Sequence, residues 1–171
     1  MHDTGFPCVA AGDARILILG SMPGVASLEA VQYYAHPRNA FWPIMGEIFG
    51  FDAKLPYAER LEQLKENRVA LWDVAHRCIR PGSLDSNIDR DSIEPNDFAA
   101  FFEHHPQIAA IFFNGSAAEA LFRSLVLPDL PESIRTLPML RLPSTSPAHA
   151  ALRFEQKREQ WRRVTEFPAG G

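Results

Sequence analysis

The stretch Arg15-Ile16-Leu17-Ile18-Leu19-Gly20-Ser21-Met22-Pro23-Gly24 decides the fold. Residues 15–19 form a short apolar, β-favouring run that stops at Gly20, as a strand buried on both faces of a parallel sheet does. Outward from it, strand and helix patterns alternate. Residues 40–49 place Phe41, Trp42, Ile44, Met45, Ile48 and Phe49 at helical spacing, with Asn39 as a candidate N-cap and Gly50 as the stop. Residues 57–67 carry Leu61 and Leu64 among charged side chains, an amphipathic helix, and lead into a second strand over 69–74. Asn96-Asp97 can cap a helix over 98–104, which Pro106 ends before a third strand at 108–113. Ser116-Ala117-Ala118-Glu119 fits a capping box that opens a helix through Leu127. The proline-rich residues 127–138 read as a loop, and 139–142 as a fourth strand. Ser146-Pro147 pairs a good N-cap with proline at the first helical position, which predicts a last helix from there to about Glu166. Such alternation predicts an α/β chain: a three-layer α/β/α sandwich around a central, mainly parallel four-stranded sheet, with residues 1–171 as a single domain.

Composition narrows the function classes. A 171-residue chain buries about 68–70% of the surface it exposes when unfolded, so it needs no disulfide or metal staple. Cys8 and Cys78 stand far apart without a CxxC, so no four-thiolate site is available, and no cofactor or metal is expected. The N-terminus lacks a basic and an apolar region, and no apolar run approaches the roughly 18 residues of a membrane span. A cytoplasmic protein is expected, with no membrane partner. A formal net charge of −4 argues against coating nucleic acid through bulk charge, although it leaves room for a local basic patch.

In open parallel α/β sheets ligands collect at the carboxyl ends of the strands. Four segments fall there: residues 20–24, 73–77, 114–116 and 143–149. The first lacks the lysine of a phosphate-binding P-loop. It is also no nucleophile elbow, because Ser21 directly follows Gly20 and Met22 takes the central position.

The segment Tyr34-Ala35-His36-Pro37-Arg38-Asn39-Ala40-Phe41-Trp42 resembles the F-A-H-P-x-N-x-F-W segment of mismatch-specific uracil-DNA glycosylases. Two more motifs follow the family's order. Gly20-Ser21-Met22-Pro23-Gly24 is similar to its G-x-N-P-G motif, and Leu142-Pro143-Ser144-Thr145-Ser146-Pro147 resembles the H-P-S or N-P-S motif of the loop that inserts into DNA. Together they span roughly residues 15 to 165. Two positions depart from the pattern. Met22 stands where most relatives carry the Asp or Asn that orients the attacking water, and Leu142 stands where several carry His. Lacking both resembles the hypoxanthine-DNA glycosylase branch, family 6 of the superfamily, in which the asparagine of the H-P-x-N segment carries catalysis. That residue is Asn39 here. The two cysteines also set the chain apart from the iron–sulfur branches.

The resemblance implies a base pocket of Ser21, Met22, Tyr34, Asp73 and Asn114, with Tyr34 as the aromatic that stacks on a flipped base. A carboxylate at Asp73 could accept the N1–H of hypoxanthine and repel the N1 lone pair of adenine. Each role has a plainer alternative. Asn39 could be only a helix cap, Tyr34 a core tyrosine, Asp73 a loop cap and Asn114 a turn residue. Contacts to DNA are expected from His36, Arg77, Pro143, Ser144, Thr145, Ser146 and His149, the serine-rich loop acting as a wedge at the N-terminus of the last helix. Either histidine could instead be structural. That helix carries Arg153, Lys157, Arg158, Arg162 and Arg163, and Arg77 and Arg80 would add to the same side; its alternative is a solvated surface helix. The expected function is a monomeric, monofunctional glycosylase acting on double-stranded DNA with deaminated bases, hypoxanthine first and uracil second. No lysine matches a Schiff-base nucleophile, so no strand cleavage is expected. The rivals are a catalytically inactive DNA-binding module and a small-molecule nucleoside hydrolase.

Overall fold

Four fully apolar or nearly apolar runs pair side by side because an extended strand cannot satisfy its own backbone N–H and C=O groups. In the computed structural model, which describes residues 3–79 and 89–166, these are β2 (Ile16–Gly20), β3 (Val69–Asp73), β6 (Ala110–Asn114) and β7 (Met139–Leu142). They form one all-parallel sheet in the order β3-β2-β6-β7. Every residue of the first three is buried. Helices lie on both sides: α1 (Val25–Ala30), α2 (Phe41–Phe49), α3 (Tyr57–Glu66), α4 (Phe98–His104), α5 (Ser116–Leu125), α6 (Glu132–Arg135) and α7 (Phe154–Trp161). The expected α/β sandwich is the observed fold. One core runs through Leu17, Ile18, Phe41, Ile44, Phe112, Phe122 and Trp161. Among the described residues, no helix is long and apolar enough to cross a membrane.

Several local expectations are corrected. A second, antiparallel sheet of β1 (Asp3–Thr4), β4 (Ala75–Ile79) and β5 (Asp89–Pro95) was not expected, nor was α1. β4 continues from β3 after a single bend at Val74, whose N–H is held by Gly20 O at 2.8 Å. The capping box at Ser116 does not form. Gly115 is the N-cap, with φ +94, and its missing side chain matters twice, since a Cβ there would also lie 3.1 Å from Ser144 Cβ. The proline-rich stretch holds a 3-10 turn (Leu127–Asp129) and α6.

The largest correction concerns the last helix, which begins at Phe154 rather than beside Ser146. Pro147 instead sits second in a tight turn closed by His149 N–H to Ser146 O at 3.0 Å, a position that fixed φ suits as well as a first helical turn. The helix is started by Gln156, whose Oε1 accepts from Arg153 N–H at 2.8 Å, and it ends in a 3-10 turn (Arg162–Glu166).

Candidate active site

The carboxyl ends of β2, β3, β6 and β7, with the segment before α2, surround an open cleft of about 1070 Å³. Ser21, Met22, Tyr34, His36, Asn39, Asp73, Asn114, Ser144, Thr145, Ser146 and His149 all line it. The cleft therefore gathers residues more than a hundred positions apart, and it does so because parallel strands present the same end to solvent.

Its floor is set by Gly20. A Cβ there would overlap Asp73 Oδ1 and lie 2.9 Å from the Tyr34 hydroxyl oxygen, so the absent side chain is the space these two groups occupy. Asp73 is 3% exposed. Tyr34 has φ +55, a left-handed backbone that costs an aromatic residue about 1–2 kcal/mol, and its ring stacks on Phe41 at 4.1 Å. Neighbouring elements hold that conformation. Trp42 Nε1 donates to Tyr33 O at 2.9 Å, Tyr33 N–H to the Tyr57 hydroxyl at 3.0 Å, and Ala35 N–H to Ser27 Oγ at 3.0 Å. Burial, and then the negative charge of Asp73, push the Tyr33 phenol well above its ordinary range, so it serves as a donor, reaching Pro7 O at 3.0 Å.

Asn39 sits at the entry to α2. Its Oδ1 accepts from Phe41 N–H at 2.9 Å, although the helical N-cap position itself falls on Ala40. Among the described residues its Nδ2 has no protein partner. Capping and cleft lining thus coexist in one side chain. Met22 packs against Ala75, Cys78 and Ile93 in a small apolar cluster under β4, which places no proton acceptor at that position of the first motif.

The serine-rich loop is a built structure. Thr145 is 1% exposed and makes three bonds: its N–H donates to Asn114 Oδ1 at 2.9 Å, its Oγ1 accepts from Asn114 Nδ2 at 2.9 Å, and its carbonyl accepts from Ala40 N–H at 3.0 Å. Thr145, expected as a loop contact to DNA, is buried in the cleft wall with its N–H, hydroxyl and carbonyl engaged. Asn114, expected to read a base, spends both ends of its amide on Thr145. Pro143 lies outside the cleft lining, its carbonyl accepting from Trp161 Nε1 at 2.9 Å. His36 Nδ1 accepts from Arg38 N–H at 3.0 Å.

The cationic surface is also different from the expectation. Arg77, on β4, is outside the cleft and pairs with Glu94 at 3.3 Å; Arg80 lies outside the described residues. Arg158 pairs with Glu47 at 2.9 Å, a bond that also holds its pKa above the ordinary value, and Arg162 pairs with Glu159 at 3.0 Å. Lys157 is buried, and Arg153 and Arg163 stay exposed. Sequence reasoning missed Ser27, and it placed Gly115 only within the 114–116 segment and Lys157 only among the cations of the last helix. The signal for Lys157 was present, three residues after Phe154 and four before Trp161 on the apolar stripe.

Comparison with known proteins places this geometry. Residues 6–165 match the model of the uracil DNA glycosylase superfamily. The chain is similar to two curated proteins named hypoxanthine DNA glycosylase. With that of Methanosarcina barkeri it shares 41% identity over 116 residues, covering 67% of this chain and 72% of the relative. With that of Methanosarcina acetivorans it shares 40% identity over 129 residues, covering 73% and 80%. A solution NMR structure of a Methanosarcina acetivorans protein, named for uracil DNA glycosylase, superposes with a TM-score of 0.75 at 34% identity, covering 96% of this chain and 99% of that one.

Proposed function

The chain belongs to the uracil DNA glycosylase superfamily, as a monofunctional DNA glycosylase, and on that premise we propose that it removes hypoxanthine from DNA first and uracil second. The observation that carries the reading is the convergence of Tyr34, Asn39 and Asp73 on one cleft at the strand ends, with Asp73 seated over Gly20. A base must leave the helix to reach a pocket of this kind. Tyr34 then supports its face, and Asp73 accepts the N1–H of hypoxanthine, which adenine, with a lone pair at N1, cannot supply.

Hydrolysis joins the oxygen of water to C1′ as the bond to the purine N9 breaks. The bonding pair leaves with the base, and the proton from water ends on the departing purine. The sugar passes through an oxocarbenium-like state that fixed dipoles stabilise without a strong base. Asn39 is suited to that chemistry. Its Oδ1 is immobilised by Phe41 N–H and keeps a second lone pair for water.

The apolar packing of Met22 favours one rival, a DNA-binding module without catalysis. Labelled duplexes containing deoxyinosine, deoxyuridine or normal bases, incubated with the protein and then cleaved with alkali at abasic sites, decide between them. Excision from the deoxyinosine duplex supports the reading. Binding with no abasic product from any lesion duplex favours the module. Activity on free deoxyinosine alone favours a nucleoside hydrolase. Asp73→Asn should change the inosine-to-uridine ratio, and an unchanged ratio counts against base reading by Asp73.

A further inference from the structure

Among the described residues, the mechanism above leaves one buried charged group unused. Lys157 of α7 is 5% exposed, and no carboxylate is paired with it among the described residues. Its ammonium donates instead to two backbone carbonyls, His149 O at 2.7 Å and Ser146 O at 3.4 Å. Loss of hydration holds its pKa below the usual lysine range. A flexible, strongly hydrated cation is kept in such a place only where its hydrogen bonds repay the desolvation.

Those two carbonyls are the ends of the turn Ser146-Pro147-Ala148-His149, whose own closing bond runs from His149 N–H to the same Ser146 O. The turn stands on the cleft rim, with Ala148 and His149 exposed. The loop's first half is fixed by Asn114, Ala40 and Trp161. Its distal turn is otherwise held from within the loop, by Ser144 Oγ and Ser146 Oγ. Among the described residues, Lys157 is the one group outside the loop that hydrogen-bonds the turn. We propose that Lys157 is a positioning residue that locks the Ser146–His149 turn in the shape needed to wedge into a duplex and extrude the damaged nucleotide. The inference rests on the glycosylase reading and assigns a role beyond it. A wedge must displace a stacked base without yielding, so a loop left to fluctuate loses its ordering free energy at that step and at no other.

The test compares wild type, Lys157→Met and Lys157→Arg on three substrates. The first is a deoxyinosine duplex, the second the same lesion inside an unpaired bubble, where no wedge is needed. The third is the duplex with 2-aminopurine beside the lesion, whose fluorescence reports unstacking whether or not chemistry follows. Lys157→Met should lower duplex excision and the unstacking rate about tenfold, the loss of charge-assisted hydrogen bonds to the turn, and leave bubble excision within about twofold. Lys157→Arg, which keeps the donors, should recover most of the loss. Equal falls on duplex and bubble, or no fall on the duplex, overturn the proposal. Wild type that unstacks the duplex yet excises nothing overturns the hydrolytic reading, while the fluorescence comparison still decides the role of Lys157. Wild type that does neither overturns both.

Discussion

Replacing Gly20 with alanine adds one methyl group at the end of β2, directly over the candidate base-reading carboxylate. That methyl would overlap Asp73 Oδ1 and lie 2.9 Å from the Tyr34 hydroxyl oxygen. Neither neighbour can retreat freely. Gly20 and Asp73 are register partners in the sheet, Gly20 O accepts from Val74 N–H, and Tyr34 is stacked on Phe41. Overpacking of this kind costs about 1–3 kcal/mol, and at about 2–4 °C per kcal/mol the melting temperature should fall by about 2–12 °C. The functional loss should be larger than the loss of stability. Moving a reacting or reading group by an ångström costs on the order of a hundredfold in rate, so single-turnover excision from a deoxyinosine duplex should drop by about that factor at a temperature where the variant is folded. Gly12→Ala is the control, since a Cβ there meets nothing within 4 Å; its stability should change by less than about 1 kcal/mol and its rate not at all. A Gly20→Ala protein with wild-type melting and wild-type excision refutes the placement of Asp73 and Tyr34 against Gly20.

Two further outcomes follow from the site and a third from the burial of Cys8. Asn39→Ala should lower single-turnover excision at least about tenfold, roughly 1.4 kcal/mol of barrier, and weaken α2 by about 1 kcal/mol through loss of the bond to Phe41 N–H. Asn39→Asp keeps the acceptor for that bond, so the difference in melting temperature between the two variants reads the capping contribution alone. Asn114→Ala removes both bonds to buried Thr145 and should cost about 2–4 kcal/mol, read as a lower urea midpoint at unchanged m-value. Burial pushes the Cys8 thiol above its usual range, so at pH 8 less of it is thiolate than in a free cysteine. Alkylation of the native protein by iodoacetamide should accordingly be slower than that of the urea-unfolded chain, and equal rates would contradict the burial.

What the sequence made legible, and what it hid, divides by the range of the physics. The parallel sheet was readable because runs such as residues 16–19 and 110–113 are apolar on both faces, and few other environments bury four consecutive side chains. The cleft was readable in outline because strand ends are local and the sheet imposes their convergence. The second sheet was hidden. Ala75, His76, Arg77, Cys78 and Ile79 alternate only weakly, and what makes them a strand is the pairing with Thr4 and Glu94 far along the chain. Ser146-Pro147 misled for a different reason, since a serine before a proline is equally good chemistry for a helix start and for a turn, and the choice was made by Lys157 and Gln156 downstream. The bonding partners of Asn114 and Lys157 needed coordinates, because an amide or an ammonium is assigned by what it bonds, and both sets of partners lie in the loop at 145–149.

Charge gives the same lesson at the scale of the surface. At a net charge of −4, DNA binding gains little from long-range attraction, and Arg77, Arg158 and Arg162 are each engaged by a carboxylate. Exposed ion pairs are weak, so a phosphate can compete for these arginines, yet the exchange releases less free energy than an unpaired cation would. Discrimination then has to come from the cleft and its rim. There Thr145 is the joint: it ties β6 through Asn114 to the entry of α2 through Ala40, next to Asn39. The entry to α2 is therefore fixed by the buried half of the loop, so loosening the distal Ser146–His149 turn, which is held by other bonds, leaves the placement of Asn39 unchanged.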